Sequence, residues 1–313
     1  MCALVAGCGF TVNSGTSIDA SVADAVDGAA DAMPDAMLDP ALCMPRWFDG
    51  TLRFSPAVLL ASVSSTVTDR DPFLSADERT ILFSSSRDRT GPDVYIARRA
   101  SVNDPFDTPS VVTALVSANV ESKATFTADG LFVVFASDRS GGAGNTDLWE
   151  ASRAAVGDSF GMPSRAHVMQ LETGGNEYDP WISPDGRHLY FAPTGGGQHI
   201  AFAVRGSASA NFGNPTTLQE LTSGTGDGDP ALSTDEKLIV FSSNRPGSGF
   251  AGGNLWFASR AAANGLFSLP MPVPDLNTDA SDGDPHISSD GCRLYFGRSS
   301  STTDWDIYVA AQR

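Results

Sequence analysis

One pattern repeats five times along this chain of 313 residues and constrains its fold more than any other feature. The five segments align without gaps: DPFLSADERTILFSSSR from Asp71, KATFTADGLFVVFASDR from Lys123, DPWISPDGRHLYFAPTG from Asp179, DPALSTDEKLIVFSSNR from Asp229 and DPHISSDGCRLYFGRSS from Asp284. Their closing phenylalanines are Phe83, Phe135, Phe191, Phe241 and Phe296. A period of about 50 residues indicates supersecondary units that bury a core only by packing on one another.

Each repeat predicts four short strands. An inner strand ends in a Ser-x-Asp-Gly or Ser-x-Asp-Glu turn, where the aspartate can bond its own backbone. A second strand alternates toward the closing phenylalanine, and a third follows a Gly-rich loop, as in DVYIARR from Asp93. A Phe-x-x-Pro sequence then opens the fourth strand. The sequence therefore predicts an all-β, five-bladed β-propeller with four antiparallel strands per blade.

The two chain ends are expected to close the ring together. The last repeat stops after its third strand, near Ala310, so its fourth strand is missing. Phe54 precedes Asp71 by the same spacing that separates Phe212 from Asp229. The segment around Phe54 is thus a spare fourth strand that completes the last blade, and closure removes the exposed edges of an open sheet.

The pattern DPxxSxDGxxLYF followed by DLW resembles the WD-like repeats of TolB-type β-propellers, of the Pro-Asp type. The resemblance covers roughly residues 54–313 five times over. It implies the propeller fold and a role as a protein-binding scaffold of the cell envelope. TolB itself is usually described with six blades, whereas the strand count here predicts five.

The charge and hydropathy of the chain exclude several classes of protein. The net charge is −17, which opposes binding to a nucleic-acid backbone and favours a cation or a basic partner. No apolar run is long enough for a membrane span.

The N-terminal residues predict a targeting signal followed by a disordered tether. The sequence LVAGC ending at Cys8 resembles the lipobox of bacterial lipoproteins, in which the cysteine is lipidated. Residues 1–8 are too short for a complete signal peptide, so they are expected to be its truncated end; the alternative is a short ragged N-terminus. Residues 9–45 contain no Lys, Arg or aromatic residue beyond Phe10 and predict a disordered Ala/Asp-rich tether. The propeller is expected over 46–313. Gly9 favours the outer membrane by resemblance to lipoprotein sorting rules.

Two cysteines remain for the folded domain. Cys43 lies shortly before the strand that completes the last blade, and Cys292 lies in the first turn of that blade. An up-and-down blade brings these positions to one face. We therefore expect a Cys43–Cys292 disulfide that secures ring closure in an oxidising compartment; the alternative is two free thiols.

Acidic residues form two columns at one end of the central channel. They are Asp69, Glu121, Glu177, Asp227 and Asp282, and, two residues on, Asp71, Asp179, Asp229 and Asp284. Lys123 takes the second-column position in the second repeat. Nine carboxylates predict a site for Ca²⁺ or for a basic partner. The alternative is that each acid caps a turn in its own blade. The arginines after the second strand, such as Arg87, are expected to bridge to the aspartates that open the third strand, such as Asp93.

Phe73, Trp181 and His286 share one inner-strand position and are candidate ligand-facing residues. The four histidines show no metal spacing, and no nucleophile elbow is present. The sequence thus favours a monomeric protein without enzymatic activity or cofactor, anchored to the membrane only by lipid, that binds an envelope protein or peptide. A carbohydrate-binding propeller is the alternative, followed by a propeller glycosidase.

Overall fold

The computed structural model describes residues 39–88, 91–299 and 304–313. The predicted lipobox with Cys8, and the tether as far as residue 38, lie outside the described residues.

Five antiparallel sheets confirm the five-bladed propeller. Helix α1 (Pro40–Asp49) and β1 (Val58–Leu59) come first. Blade one has β2 (Asp69–Leu74), β3 (Thr80–Ser85), β4 (Asp93–Arg98) and β5 (Ser110–Val111). Blade two has β6 (Glu121–Phe126), β7 (Phe132–Ser137) and β8 (Asp147–Ser152), with its fourth strand reduced to a bridge between Glu150 and Ser164. Blade three has β9 (Glu177–Ile182), β10 (His188–Pro193), β11 (Ala201–Val204) and β12 (Thr216–Thr217). Blade four has β13 (Asp227–Leu232), β14 (Leu238–Ser243), β15 (Asn254–Ser259) and β16 (Met271–Pro272). Blade five has β17 (Asp282–Ile287), β18 (Arg293–Ser299) and β19 (Trp305–Ala311), completed by β1.

The N-terminal strand closes the ring as the repeat spacing predicted. Val58 pairs with Val309 and Leu59 with Tyr308, so β1 is the outer strand of blade five. Phe54 forms a further bridge to Gln312. The first strand of the propeller and its last strand therefore lie in the same sheet.

Helix α1 corrects the predicted tether, because residues 40–45 are helical. Asp39 caps the helix by accepting a hydrogen bond from the Ala41 N–H at 3.0 Å, Pro40 occupies the first turn, and Gly50 ends the helix in the left-handed conformation. The buried face of α1 carries Cys43 and Trp47, which pack on the propeller.

A covalent bond joins this helix to blade five. The sulfur atoms of Cys43 and Cys292 are 2.04 Å apart, and their Cα atoms are separated by 4.9 Å. The bond spans 249 residues of sequence, nearly the whole propeller.

The inner strand of every blade contains a bulge. The register against the second strand shifts, for example, between Arg70 and Phe73. The residue at the shift has a left-handed backbone in each blade, with φ between 49° and 59°: Asp71, Lys123, Asp179, Asp229 and Asp284. Aspartate tolerates this conformation better than most side chains, which explains its recurrence in the DP motif.

A second fivefold feature, not predicted from the sequence, is a side-chain hydrogen bond that holds each turn after the inner strand. The side chain that follows the third strand donates to the carbonyl oxygen of the turn residue after the aspartate. The donors are Arg99, Arg153, Arg205, Arg260 and Gln312, at 2.5 to 2.8 Å from the oxygens of Glu78, Gly130, Gly186, Glu236 and Gly291. The four arginines also stack on the phenylalanines of the Phe-x-x-Pro sequence, at 4.2 to 4.5 Å.

Each closing phenylalanine is buried between the sheets, with at most 1% of its surface exposed.

No helix among the described residues is long and apolar enough to cross a membrane.

Replacing Cys43 and Cys292 together by alanine is expected to lower the free energy of unfolding by about 2 to 5 kcal/mol, because the bond closes a very long loop. Denaturant unfolding monitored by tryptophan fluorescence measures the change. Reductant should destabilise the wild-type protein by a similar amount and leave the double variant unaffected. A difference below about 0.5 kcal/mol in both comparisons would contradict a role in closure.

Candidate functional site

The structure separates the nine predicted carboxylates into two rings. We call the first column, at the start of each inner strand, the outer ring: Asp69, Glu121, Glu177, Asp227 and Asp282. We call the left-handed residues the inner ring: Asp71, Lys123, Asp179, Asp229 and Asp284.

The outer ring is buried and serves the fold. Its members are at most 1% exposed. They accept hydrogen bonds from the loop four residues upstream, as when the Thr278 N–H donates to Asp282 at 2.8 Å. These five acids therefore cap loops in their own blades and are not available to a ligand.

Arginines at the end of the second strands, or two residues after it, pair with the outer ring. Arg87 lies 2.7 Å from Asp69, Arg139 2.9 Å from Glu121, Arg245 2.7 Å from Asp227 and Arg298 2.6 Å from Asp282. The prediction that these arginines pair with aspartates at the start of the third strand, such as Asp93, is therefore wrong. Glu177 has no such arginine because Gly195 occupies that place, and burial raises the pKa of Glu177.

The inner ring brings carboxylates together around two cations. Oxygens of Asp71, Asp229 and Asp284 lie within 4.8 Å of one another. The Lys123 ammonium lies 3.4 Å from Asp229 and 3.8 Å from Asp284. The pKa of Lys123 is raised despite its burial, because four aspartates surround it, so the ammonium stays charged.

Arg70 is the second cation and was not singled out in the sequence analysis. Its guanidinium donates two hydrogen bonds to Asp284, at 2.8 and 2.9 Å, and lies 3.4 Å from Asp71. The signal for it was present, since the corresponding position in the other repeats is Ser122, Tyr178, Gly228 or Gly283. A single cation in a column of neutral residues next to an acidic column indicates charge compensation.

Asp179 differs from the other inner-ring carboxylates because it makes no salt bridge with a described residue. It accepts a hydrogen bond from the Asp229 N–H at 3.2 Å. Burial and the neighbouring Asp229 charge raise its pKa well above the ordinary value. Asp179 and Asp229 are partly exposed, whereas Asp71 and Asp284 are buried. The accessible carboxyl groups of the ring are therefore those of Asp179 and Asp229.

A polar cavity of about 230 Å³ lies beside these two residues. It is lined by Gln198, Asp229, Asn244, Trp305 and Ser242, whose buried hydroxyl has no hydrogen-bond partner among the described residues. Gly228 lies between the cavity and Asp179, and a Cβ atom there would approach Asp179 Oδ2 to 3.0 Å. The missing side chain thus lets the Asp179 carboxylate sit close to the cavity.

The inner ring offers a poor site for the Ca²⁺ ion considered from the sequence. Calcium requires six or more oxygen ligands. Here three carboxylates lie close enough together, but Lys123 and Arg70 already contact them. A divalent ion would have to displace the ammonium of Lys123.

Phe73, Trp181 and His286 meet at the opposite end of the channel. They line a cavity of about 100 Å³ that is mainly apolar. Burial and the Lys123 charge lower the pKa of His286 to about 3, so its imidazole is neutral, and Nδ1 has no hydrogen-bond partner among the described residues. The structure brings the three predicted residues together, and their contact with a ligand stays a prediction.

Comparison with known proteins gives the fold and leaves the function open. No family model and no curated protein matches the sequence. Among solved structures, TolB from Acinetobacter baumannii is similar, with a TM-score of 0.50 and 16% sequence identity over 80% of this chain. The match covers only 56% of that TolB chain. The chain thus has a TolB-like propeller, as the repeat resemblance implied.

Some glycoside hydrolases have a similar fold. The catalytic domain of the Coprinopsis cinerea GH62 α-L-arabinofuranosidase has a TM-score of 0.53 at 9% identity, covering 79% of this chain and 92% of that one. The Podospora anserina α-L-arabinofuranosidase, in complex with cellotriose, has a TM-score of 0.54 at 11% identity, covering 79% and 91%.

These hydrolases overturn the expectation that the chain is not an enzyme. That expectation rested on the lack of a metal spacing or a nucleophile elbow in the sequence, and on the recurrence of the acids in every repeat, which favours a structural role. In the structure, equivalent aspartates have different surroundings, and burial raises the pKa of Asp179 well above that of an ordinary carboxyl. A repeated position can therefore carry individual chemistry.

Asp179→Asn is expected to stabilise the protein at pH 7 by on the order of 1 kcal/mol. Because the folded-state pKa of Asp179 is raised, ionising this carboxyl disfavours folding as the pH rises above 3.8. Asparagine also tolerates the left-handed conformation. The gain should vanish near pH 3, where the wild-type carboxyl is protonated in both states. Denaturant unfolding at several pH values measures it.

Asp284→Asn is the matched control. It removes the buried carboxylate that accepts both hydrogen bonds of the Arg70 guanidinium, leaves only the longer contact with Asp71, and should cost about 3 kcal/mol at pH 7. Equal destabilisation by both substitutions would contradict the distinction between the two carboxylates.

Proposed function

We propose that this propeller binds a basic side chain of an envelope protein or peptide at the acidic end of its channel. The observation that carries the proposal is the accessible carboxylate pair of Asp179 and Asp229, in which Asp179 forms no salt bridge with a described residue. A Lys or Arg head group placed between them would pair with the Asp179 carboxyl, which lacks a salt bridge, and would favour its ionised form.

The inner ring itself illustrates the interaction. The Lys123 ammonium, from blade two, lies among aspartates of other blades within 3.8 Å. The adjoining cavity of about 230 Å³ has room for a further side chain, and Gln198 and Asn244 offer amide groups for orientation. The net charge of −17 would draw a basic partner toward the protein before contact.

The cell envelope is the proposed location. The Cys43–Cys292 bond suits an oxidising compartment, and the TolB-like fold is compatible with a scaffold there. Lipidation of Cys8 and attachment to the outer membrane belong to this proposal.

The proposal is tested by titrating tri-arginine and tri-lysine peptides into the protein by calorimetry at low salt. Asp179→Asn combined with Asp229→Asn should weaken binding at least tenfold, and raising the salt concentration should weaken wild-type binding. Asp104→Asn removes one charge from an exposed loop of blade one and should leave affinity within twofold. Equal affinity of the wild type and the double variant would reject the site.

Glycoside hydrolysis is a second candidate, favoured by the raised pKa of Asp179 beside the carboxylate of Asp229. Glycosidases use a pair of catalytic carboxyl groups, one of which is protonated and acts as the general acid. In this case Asp179 would act as the general acid, and Trp305 with the amides of the polar cavity would contact the sugar.

Release of arabinose or xylose from arabinoxylan, measured by chromatography, tests this activity. Asp179→Asn should reduce the rate by about 100-fold or more, the usual range for loss of a general acid. Hydrolysis that survives this substitution unchanged would show that Asp179 is not the acid.

A further inference from the structure

A cleft recurs between neighbouring blades, on the face of the propeller that carries the Ser-x-Asp turns. Its walls are the second and third strands of one blade and the turn and fourth-strand phenylalanine of the next. Four of the five clefts contain a large side chain of the protein itself, and the fifth does not.

A tyrosine fills two of the clefts. Tyr295 of blade five donates to Glu78 of blade one at 2.6 Å and accepts from Arg99 at 3.0 Å. Tyr190 of blade three likewise donates to Glu236 of blade four at 2.7 Å and accepts from Arg260 at 2.8 Å. In both cases a glutamate replaces the turn glycine.

Phe132 lies in the cleft between blades two and three, where the Arg205 guanidinium stacks on its ring at 4.7 Å.

Helix α1 supplies the occupant between blades four and five. The Trp47 indole packs edge-on against Phe257 and Phe54, with ring centroids 5.4 and 5.7 Å away. Its N–H donates to the Gly291 carbonyl oxygen at 2.9 Å, and Gln312 donates to the same oxygen at 2.8 Å.

The cleft between blades one and two is a cavity of about 360 Å³. Its lining includes Leu82, Ile96, Gly130 and Phe160, which correspond in the repeat to Val240, Phe257, Gly291 and Phe54 around Trp47. The Gly130 carbonyl oxygen accepts one hydrogen bond, from Arg153 at 2.8 Å, as Gly291 does from Gln312. The cavity thus repeats the walls of the Trp47 site without the indole. Benzene already fits an apolar cavity of about 150 Å³.

Two arginine side chains in this cavity can pair with a negatively charged group. Arg98 and Arg153 both line it, and neither makes a salt bridge with a described residue. Burial and the neighbouring Arg98 charge lower the pKa of Arg153. Asp77 and Asp129 lie at the rim, but each accepts hydrogen bonds from its own turn, Asp77 from Ser75 and Asp129 from Thr127.

We propose that the cleft between blades one and two is a binding site for a small planar aromatic carboxylate of indole size. The ring lies between Ile96 and Phe160 as Trp47 lies between Phe257 and Phe54. A ring N–H donates to the Gly130 carbonyl oxygen, and the carboxylate contacts Arg98 and Arg153.

Calorimetric titration of the full chain with indole-3-acetate tests the proposal, with neutral indole and cationic tryptamine as comparison probes. Indole-3-acetate should bind at least tenfold more tightly than indole, and tryptamine least of all. Arg98→Gln, at an exposed side chain, should weaken indole-3-acetate at least tenfold while changing indole little. Absence of binding at millimolar indole-3-acetate, or equal affinity for the three probes, would overturn the proposal.

A second variant fills the cleft with the side chains that occupy two of the other clefts. Leu82→Tyr with Gly130→Glu copies the pair found between blades three and four and between blades five and one, and Arg153 is already in place to bond the introduced hydroxyl. This double variant should abolish indole-3-acetate binding while it still unfolds cooperatively on heating. Binding that persists in a folded double variant would place the ligand elsewhere.

Discussion

The candidate site depends on a backbone conformation, the left-handed residue that opens a bulge in every inner strand. An extended strand would alternate its side chains between the two faces of the sheet. The bulge instead interrupts the register and brings five equivalent side chains around the channel. Aspartate suits this conformation, so the fold collects carboxylates at one place. Their mutual repulsion then requires cations inside the ring, which Lys123 and Arg70 provide.

The propeller gains individual sites where its fivefold repetition is broken. Asp284 and Asp179 have the same backbone conformation, but Asp284 contacts Arg70 and Lys123, whereas Asp179 makes no salt bridge with a described residue. The blade clefts show the same principle. Tyr295, Tyr190, Phe132 and Trp47 fill four similar spaces by three different solutions, and the fifth space stays open. In both regions the repeated frame is structural and the exception is chemically distinctive.

Much of the fold could be predicted, because strand period, turn residues and Phe spacing act locally and recur. Helix α1 was missed although Asp39, Pro40 and Gly50 are its start and stop signals; the acidic, alanine-rich composition of the preceding residues outweighed them. The partner of Arg87 was misassigned for a different reason. Ser85 pairs with Asp69 on one side and Asp93 on the other, so both acids neighbour the same strand. Linear order does not distinguish them, and only the direction of the arginine side chain does.

The sequence by itself determined the blade number, the closure by the segment around Phe54 and the candidate pair of cysteines, because each follows from counting equivalent positions along the chain. The tertiary structure alone decided which carboxylates reach a cavity and which are neutralised. That outcome depends on burial and on charges contributed by other blades, such as Lys123 beside Asp229 and Asp284. It also decided that Trp47 fills one cleft while its counterpart stays open, since the contact joins residues 244 positions apart.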